Sequence, residues 1–341
     1  MRRLQRVRRA MTLLVTGAAG FIGRAVCERL LLEGQEVIGV DIFNAYYDPA
    51  LKEARAATLS PYKGFRMVRM DIADTDAMAA LVKESGADCL IHLAAQAGVR
   101  HSIDNPFAYA HSNLTGHLSV LEACRHAPRL NHLIYASSSS VYGDRPLNGQ
   151  GFSEQDPAVA PASLYAATKR SCELMSASYA HLYDLPQSGL RFFTVYGPWG
   201  RPDMAYYSFT REILAGRPIT VFGQGQMARD FTYVDDIVDG ILGLIPCPPP
   251  GKGAERHQVY NIGDSQPVGL MKMIEILEQA IGIPAKKIFT DMQAGDVTAT
   301  FADISKIAAV TGYHPTTPLE VGLPRFVDWY RHYTPEAQSP P

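Results

Sequence analysis

The sequence predicts a doubly wound α/β fold: a parallel sheet with helices on both faces, carrying a smaller α/β lobe. Three observations carry that reading. Apolar runs of four to six residues alternate with longer helical patterns through the first half, a glycine-rich turn joins the first run to the first helical pattern, and the rhythm changes after about Thr194. Strand–helix–strand alternation demands parallel strands, and such sheets take ligands outside the carboxyl ends of their strands.

Composition sets the bounds. The chain has 341 residues, 47% hydrophobic and 19% charged, which suffices for a full core and a length of about two domains. Lys and Arg number 32 against 34 Asp and Glu, a net charge of −2, so no global field exists to grip nucleic acid. No apolar run reaches the roughly 18 residues of a transmembrane helix, so no membrane partner is expected. Five widely spaced cysteines (Cys27, Cys89, Cys124, Cys172, Cys247) without a C-x-x-C pair fit reduced thiols in a cytoplasmic protein. The histidines show no ligand spacing, and no metal is expected.

Taken in order, residues 1–10 form a basic leader with five arginines. It imitates a signal peptide without a cleavage site and reads as a disordered tail, or as an overlong start with Met11 as the true beginning. Strands are expected at Leu13–Thr16, Glu36–Val40, Arg66–Met70, Cys89–Leu93, His132–Ala136 and Leu190–Thr194. Helices are expected at Phe21–Glu33, Asp74–Ser85 and Asn113–His126 between them. Residues 11–194 then make one domain. Residues 195–335, with their Pro- and Gly-richer loops, make the second lobe, from which segments near 229–263 return: Asp235–Ile245 as helix and Gln258–Ile262 as strand.

Val15-Thr16-Gly17-Ala18-Ala19-Gly20-Phe21-Ile22-Gly23 ends the first strand and opens the first helix. Such a turn needs a residue without Cβ, and a pyrophosphate needs close approach to the N–H groups of a helix start. The spacing is G-x-x-G-x-x-G rather than G-x-G-x-x-G, so context must support it. Asp41, twenty-four residues beyond Gly17 at the end of the second strand, is placed to accept from the adenosine ribose hydroxyls or to cap a turn. In the first role it would repel the extra phosphate of NADP, favouring NAD. Asp71 and Ile72 follow the third strand near the adenine. Leu93, Ala94 and Ala95 follow the fourth, with small side chains where backbone runs close to the cofactor.

Tyr165 and Lys169 stand four residues apart and share one face of a helical pattern. A phenol is a poor base at neutral pH, but a neighbouring ammonium and a positively charged nicotinamide both stabilise its phenolate. The run Ser137-Ser138-Ser139-Ser140 ends another strand at the same sheet edge, where a hydroxyl can share a substrate proton with Tyr165.

With these motifs in place, the chain resembles the extended short-chain dehydrogenases/reductases, in the NAD-dependent epimerase/dehydratase group with its Rossmann domain. The segments 41–48, 95–100, 164–169, 190–204 and 229–235 are similar to UDP-glucuronate 4-epimerases. The resemblance covers nearly all of residues 11–330. It implies that Ser138, Tyr165 and Lys169 are catalytic, that Asn44, Gln96 and Asn113 join the NAD site, and that Arg100, Arg201, Arg229 and Asp296 lie near a UDP-sugar. It also implies a homodimer through helices around 113–126 and 163–183. Departures are the basic leader, Ser138 where relatives often carry Thr, and a longer stretch over 144–161.

The residues after Ser138 discriminate among reactions. A 4,6-dehydratase needs an acid and a base there, and this chain has Ser139-Ser140. The C4-ketone of a glucuronate is a β-keto acid prone to lose CO2. An epimerase must prevent that by holding the carboxylate near the carbonyl plane, with Ser139, Ser140, Thr194 and Arg201 as candidate donors. Ordinary roles stay open: Thr194 as a strand end, Arg201 as a phosphate contact or surface charge, Arg229-Asp230 as an ion pair, Asp296 as a turn cap. The expected activity is 4-epimerisation of UDP-glucuronate to UDP-galacturonate. Alternatives are UDP-glucose/galactose epimerase, UDP-glucuronate decarboxylase and a catalytically silent NAD-binding regulator.

Overall fold

The computed structural model describes residues 10–144, 150–292 and 298–334. Six strands come first: β1 Thr12–Thr16, β2 Glu36–Asp41, β3 Phe65–Arg69, β4 Cys89–His92, β5 His132–Ser138 and β6 Gln187–Phe192. After them come β7 Thr194–Tyr196, β8 Ile219–Val221, β9 Ala228–Tyr233, β10 His257–Ile262, β11 Pro267–Gly269, β12 Lys287–Phe289 and β13 Ala299–Thr300. The main sheet has seven strands in the order β10-β6-β5-β4-β1-β2-β3, every pairing parallel. The order reverses between β1 and β4, and the crevice opens there.

Burial on both faces makes the central strands continuous apolar runs; all four residues of β4 are buried. Leu13 and Val15 join one core with Cys89, Ile91 and Ile134, while Leu14 joins the other with Leu90 and Leu133, so alternate residues feed opposite faces. Helices Phe21–Leu32 and Val234–Leu244 cover the first face, and Thr75–Ser85 and Gly116–Arg125 cover the second. The smaller lobe centres on β9, which pairs with β7, β11 and β13, beside a separate β8–β12 pair.

Two expectations change, and one helix comes unannounced. The strand expected at Leu190–Thr194 is two elements, β6 ending at Phe192 and β7 starting at Thr194 in the other sheet: Phe193 N–H gives the last rung to Ile262 O of β10, after which the chain pairs with β9. The expected helix Asn113–His126 opens as a π-helical segment, Ala110–Thr115, before the α-helix Gly116–Arg125. Helix Pro49–Leu59 had no clear apolar signature, since its buried face includes Lys52 and Arg55. Asp48 caps it by accepting from the Ala50 N–H at 2.9 Å, and Pro49 occupies its first turn.

Candidate active site

A cavity of about 700 Å³ runs along the carboxyl ends of the main-sheet strands and under the smaller lobe. At one end is the glycine turn. The N–H groups of Gly17 and Ala18 both donate to Val40 O, at 2.7 and 3.1 Å, tying the turn to β2. Gly17 has φ +74°, and a Cβ there would lie 2.8 Å from Ala94 N; one on Gly23 would lie 2.0 Å from Gly17 O. Any side chain would therefore fill the cradle. Gly20 begins helix Phe21–Leu32 without a side-chain cap, so no side chain competes for the first-turn N–H groups. Asp41 accepts from Ala19 N–H at 3.1 Å and Phe43 N–H at 2.8 Å, with carboxylate lone pairs left for a ribose. A dinucleotide fits this end, and NAD, with two ribose hydroxyls beside Asp41, fits its charge.

Phe21, Ile22, Gly23, Asn44, Asp71, Ile72, Leu93, Ala94, Ala95 and Gln96 line the same end. Ala19 and Asn113 lie behind the wall. Ala19 gives its N–H to Asp41 and its carbonyl to Arg55. Asn113 clasps Gln96 as a strand neighbour would: its Oδ1 accepts from Gln96 N–H at 2.8 Å and its Nδ2 donates to Gln96 O at 3.1 Å and to Thr168 Oγ1 at 3.0 Å. The π-helical widening at Ala110–Thr115 contains this buried amide, which bolts the β4 loop to the helix bearing Tyr165 and Lys169.

That helix, Leu164–Tyr183, is capped by Ser163, whose Oγ accepts from Ala166 N–H at 3.1 Å. Tyr165 and Lys169 both face the cavity from its first turns. Lys169 is 5% exposed and donates to Ala136 O at 2.8 Å, which fixes the ammonium beside the serine strand end. Tyr109 sets its ring edge-on to Tyr165, 6.1 Å between centroids, and is itself held by a 2.7 Å bond to Ala97 O.

The serine run divides by strand alternation. Ser137 points away and donates to Glu173 Oε1 at 2.6 Å, inside a buried pair of Glu173 with Arg191. Ser138 accepts from both the N–H and the Oγ of Ser140, at 3.2 and 2.9 Å, which leaves its own proton for a group in the cavity. Ser139, Ser140 and Thr194 line the adjoining wall.

The smaller lobe brings Arg201 and Arg229 to the cavity, and Arg100 reaches it from the main domain with its guanidinium 5.1 Å from the Phe222 ring centre. Arg229 donates to Ala228 O and Thr298 O at 2.8 and 3.2 Å. Its neighbour Asp230, fully buried, instead accepts from the N–H groups of Ala302, Asp264 and Ser265 at 2.9, 2.7 and 3.0 Å, and so ties loops of the lobe together. Asp296 lies outside the described residues, as does most of the basic leader.

In the connection after β2, segment 41–48 and Asn44 are marked by resemblance alone, and Lys52 and Arg55 not at all. Arg55 is fully buried; its Nη2 donates to Trp199 O at 2.6 Å and Gly200 O at 3.0 Å, and its Nη1 to Tyr47 Oη at 2.5 Å. Lys52 donates to Asn44 O at 2.9 Å and to Asn44 Oδ1 at 2.5 Å. Burial lowers the Lys52 ammonium from its usual range, against the pull of nearby Asp41. Tyr46 donates to Asp203 across the lobes at 3.2 Å. A tyrosine pair followed by Lys and Arg at helical spacing was the available signal.

The profile of the NAD dependent epimerase/dehydratase family matches residues 13–263, and the chain belongs to that family. Within it, the chain is 47% identical to a probable UDP-glucuronate 4-epimerase of Rhizobium meliloti, over 94% of this chain and 97% of that one. It is 46% identical to UDP-glucuronate 4-epimerase 1 of Arabidopsis thaliana, over 95% of this chain and 77% of the relative. Among solved structures, the UDP-glucuronic acid 4-epimerase of Bacillus cereus in complex with UDP-glucuronic acid and NAD superposes with a TM-score of 0.87 at 36% identity, covering 95% of this chain and 100% of that one.

Proposed function

We infer that the chain interconverts UDP-glucuronate and UDP-galacturonate by NAD-dependent epimerisation at C4. One observation carries the reading: Ser138, Tyr165 and Lys169 share a cavity with Arg201, and each lining carboxylate among the described residues is already engaged. Asp41 holds backbone N–H groups, Asp71 pairs with His111 at 2.7 Å, and Asp203 pairs with Arg201 at 2.6 Å. No acid–base carboxylate is thus on hand for elimination, whereas a cationic partner for a uronate is.

The bound nicotinamide supplies a reversible hydride acceptor at C4. Tyr165 Oη takes the proton of the sugar's 4-hydroxyl and later returns it. Ser138 Oγ donates to the same oxygen as it gains carbonyl character. Lys169, fixed at Ala136 O, places positive charge where the phenolate forms. Arg201, with the hydroxyls of Thr194, Ser139 and Ser140, holds the sugar carboxylate, and Arg229 and Arg100 meet the diphosphate end. The 4-keto sugar then turns about its pyrophosphate link and presents its other face.

The decisive test is an NMR time course of purified protein with UDP-glucuronate and no added NAD. UDP-galacturonate is the expected product; a pentose nucleotide with CO2, or no turnover, overturns the reading.

A homodimer fits the same proposal, since Leu118, Leu164, Leu174, Leu182 and Tyr183 leave apolar surface exposed on helices Gly116–Arg125 and Leu164–Tyr183. No helix among the described residues is long and apolar enough to cross a membrane, and the five cysteines are free thiols, which supports a cytoplasmic site of action.

A further inference from the structure

Arg201 is held in a way that the reaction outlined above does not require. Asp203 grips it side-on, with Arg201 Nε donating to Oδ1 at 3.0 Å and Nη2 to Oδ2 at 2.6 Å. Tyr46 comes from the other lobe, 157 residues earlier in the chain, and donates to Asp203 Oδ2 at 3.2 Å. The Tyr46 ring has little freedom. A Cβ on Gly98 would lie 2.4 Å from its hydroxyl, and the His101 ring packs 4.7 Å away. From behind, Arg55 fixes the backbone just before Arg201 through the carbonyls of Trp199 and Gly200. One connection of the main domain thereby anchors both the backbone leading to Arg201 and, through Asp203, its guanidinium.

A side-on pair engages the Nε and Nη2 edge of the planar guanidinium. It leaves Nη1, which makes no hydrogen bond to a described residue, and fixes the plane in which that donor lies. Burial, reinforced by the Asp203 charge, pushes the Tyr46 phenol up to about 12, so it stays a donor at neutral pH.

We propose that Tyr46 and Asp203 are positioning residues that orient Arg201 so that the 4-keto uronate keeps its carboxylate. The proposal rests on the epimerase reading above. Loss of CO2 requires the C5–C6 bond to line up with the C4 carbonyl π system. The bond's electron pair then forms a C4–C5 enolate, CO2 departs, and C5 takes a proton to leave a 4-keto pentose. A carboxylate held by a donor of fixed plane resists that alignment; one held by a swinging guanidinium does not.

The test compares Tyr46→Phe and Asp203→Asn with wild type on UDP-glucuronate labelled with ¹³C at C6, counting labelled CO2 and UDP-galacturonate in the same NMR tube. Tyr46→Phe removes one hydroxyl and no charge. It is expected to raise the ratio of CO2 to epimer about tenfold, the scale of one lost orienting hydrogen bond. Asp203→Asn is expected to raise it further. A structural role alone would lower total turnover and leave the ratio untouched, and an unchanged ratio in Tyr46→Phe overturns the proposal even should Asp203→Asn fail to fold. Wild type that makes no UDP-galacturonate would instead overturn the underlying epimerase reading.

Discussion

The two halves of the cavity wall are built differently. The dinucleotide end and the serine–tyrosine wall are laid on local sequence motifs: Gly23 clears space for the Gly17 carbonyl, Ser140 sets Ser138 two residues away, and Ser163 caps the helix that carries Tyr165. The lobe junction uses side chains that reach far along the chain, as Arg55 does to Trp199, 144 residues on, and Tyr46 to Asp203. Chemistry sits on the first kind of structure and alignment on the second. Changes to the first should therefore strike turnover, and changes to the second should strike stability and product outcome.

The largest expected effect sharpens this contrast. Tyr165→Phe removes the only atom of that side chain that moves a proton while leaving its ring against Tyr109. Turnover of UDP-glucuronate should fall by roughly 10²–10⁴-fold, with the thermal midpoint within a degree or two of wild type. Steady-state rates and a melting curve on the same preparation check it, and turnover within tenfold of wild type would break the division of labour.

Arg55→Met is the mirror experiment. It takes away a buried cation and leaves the carbonyls of Trp199, Gly200 and Ala19 without their donor. Stability should fall by about 2–4 kcal/mol in urea unfolding, with KM for the UDP-sugar raised more than kcat is lowered. A variant as stable as wild type would mean that the lobes close without this tie.

The remaining contrast is one of pH, and its sign differs between the halves. Burial depresses His117 to about 3 and His132 to about 4 under the main sheet, so both are neutral when folded. The unfolded chain binds protons below about 6.5, and stability is lost as pH falls toward 4, by at most about 1.4 kcal/mol per unit for each group. In the smaller lobe, burial beside Asp230 and Asp236 raises Asp264 to about 6. Its protonated form is the favoured one, so this group destabilises as pH rises through 6. Asp264→Asn should be more stable than wild type at pH 7, and the gap should close by pH 4. Chemical denaturation at both values measures it.

What was legible in the sequence follows the same divide. The glycine turn, Asp41, the serine run and Tyr165–Lys169 announce themselves because each is written as a run of adjacent residues or at a fixed spacing, and all but Ala19 and Asn113 of the dinucleotide set reach the cavity. Asn113 was marked by resemblance, yet its amide contacts Gln96 and Thr168, partners that no local pattern reveals. Helix Pro49–Leu59 escaped notice because its inward face carries a lysine and an arginine, which periodicity reads as solvent-facing. Their value appears only once the second lobe supplies carbonyl groups. Asp203 lies within the segment 190–204 that carries the resemblance, but its tie to Tyr46, 157 residues away, is a contact that no local pattern reveals.

The strand β10 closes the main sheet beside β6, although the chain has by then already built β7, β8 and β9 of the other lobe. Anyone wishing to graft a new sugar-recognition half onto this scaffold would need two splice points, not one. A fragment cut after the sixth strand would lack β10 and leave the β6 edge unpaired, an edge that the native chain pairs along six residues and that would invite self-association.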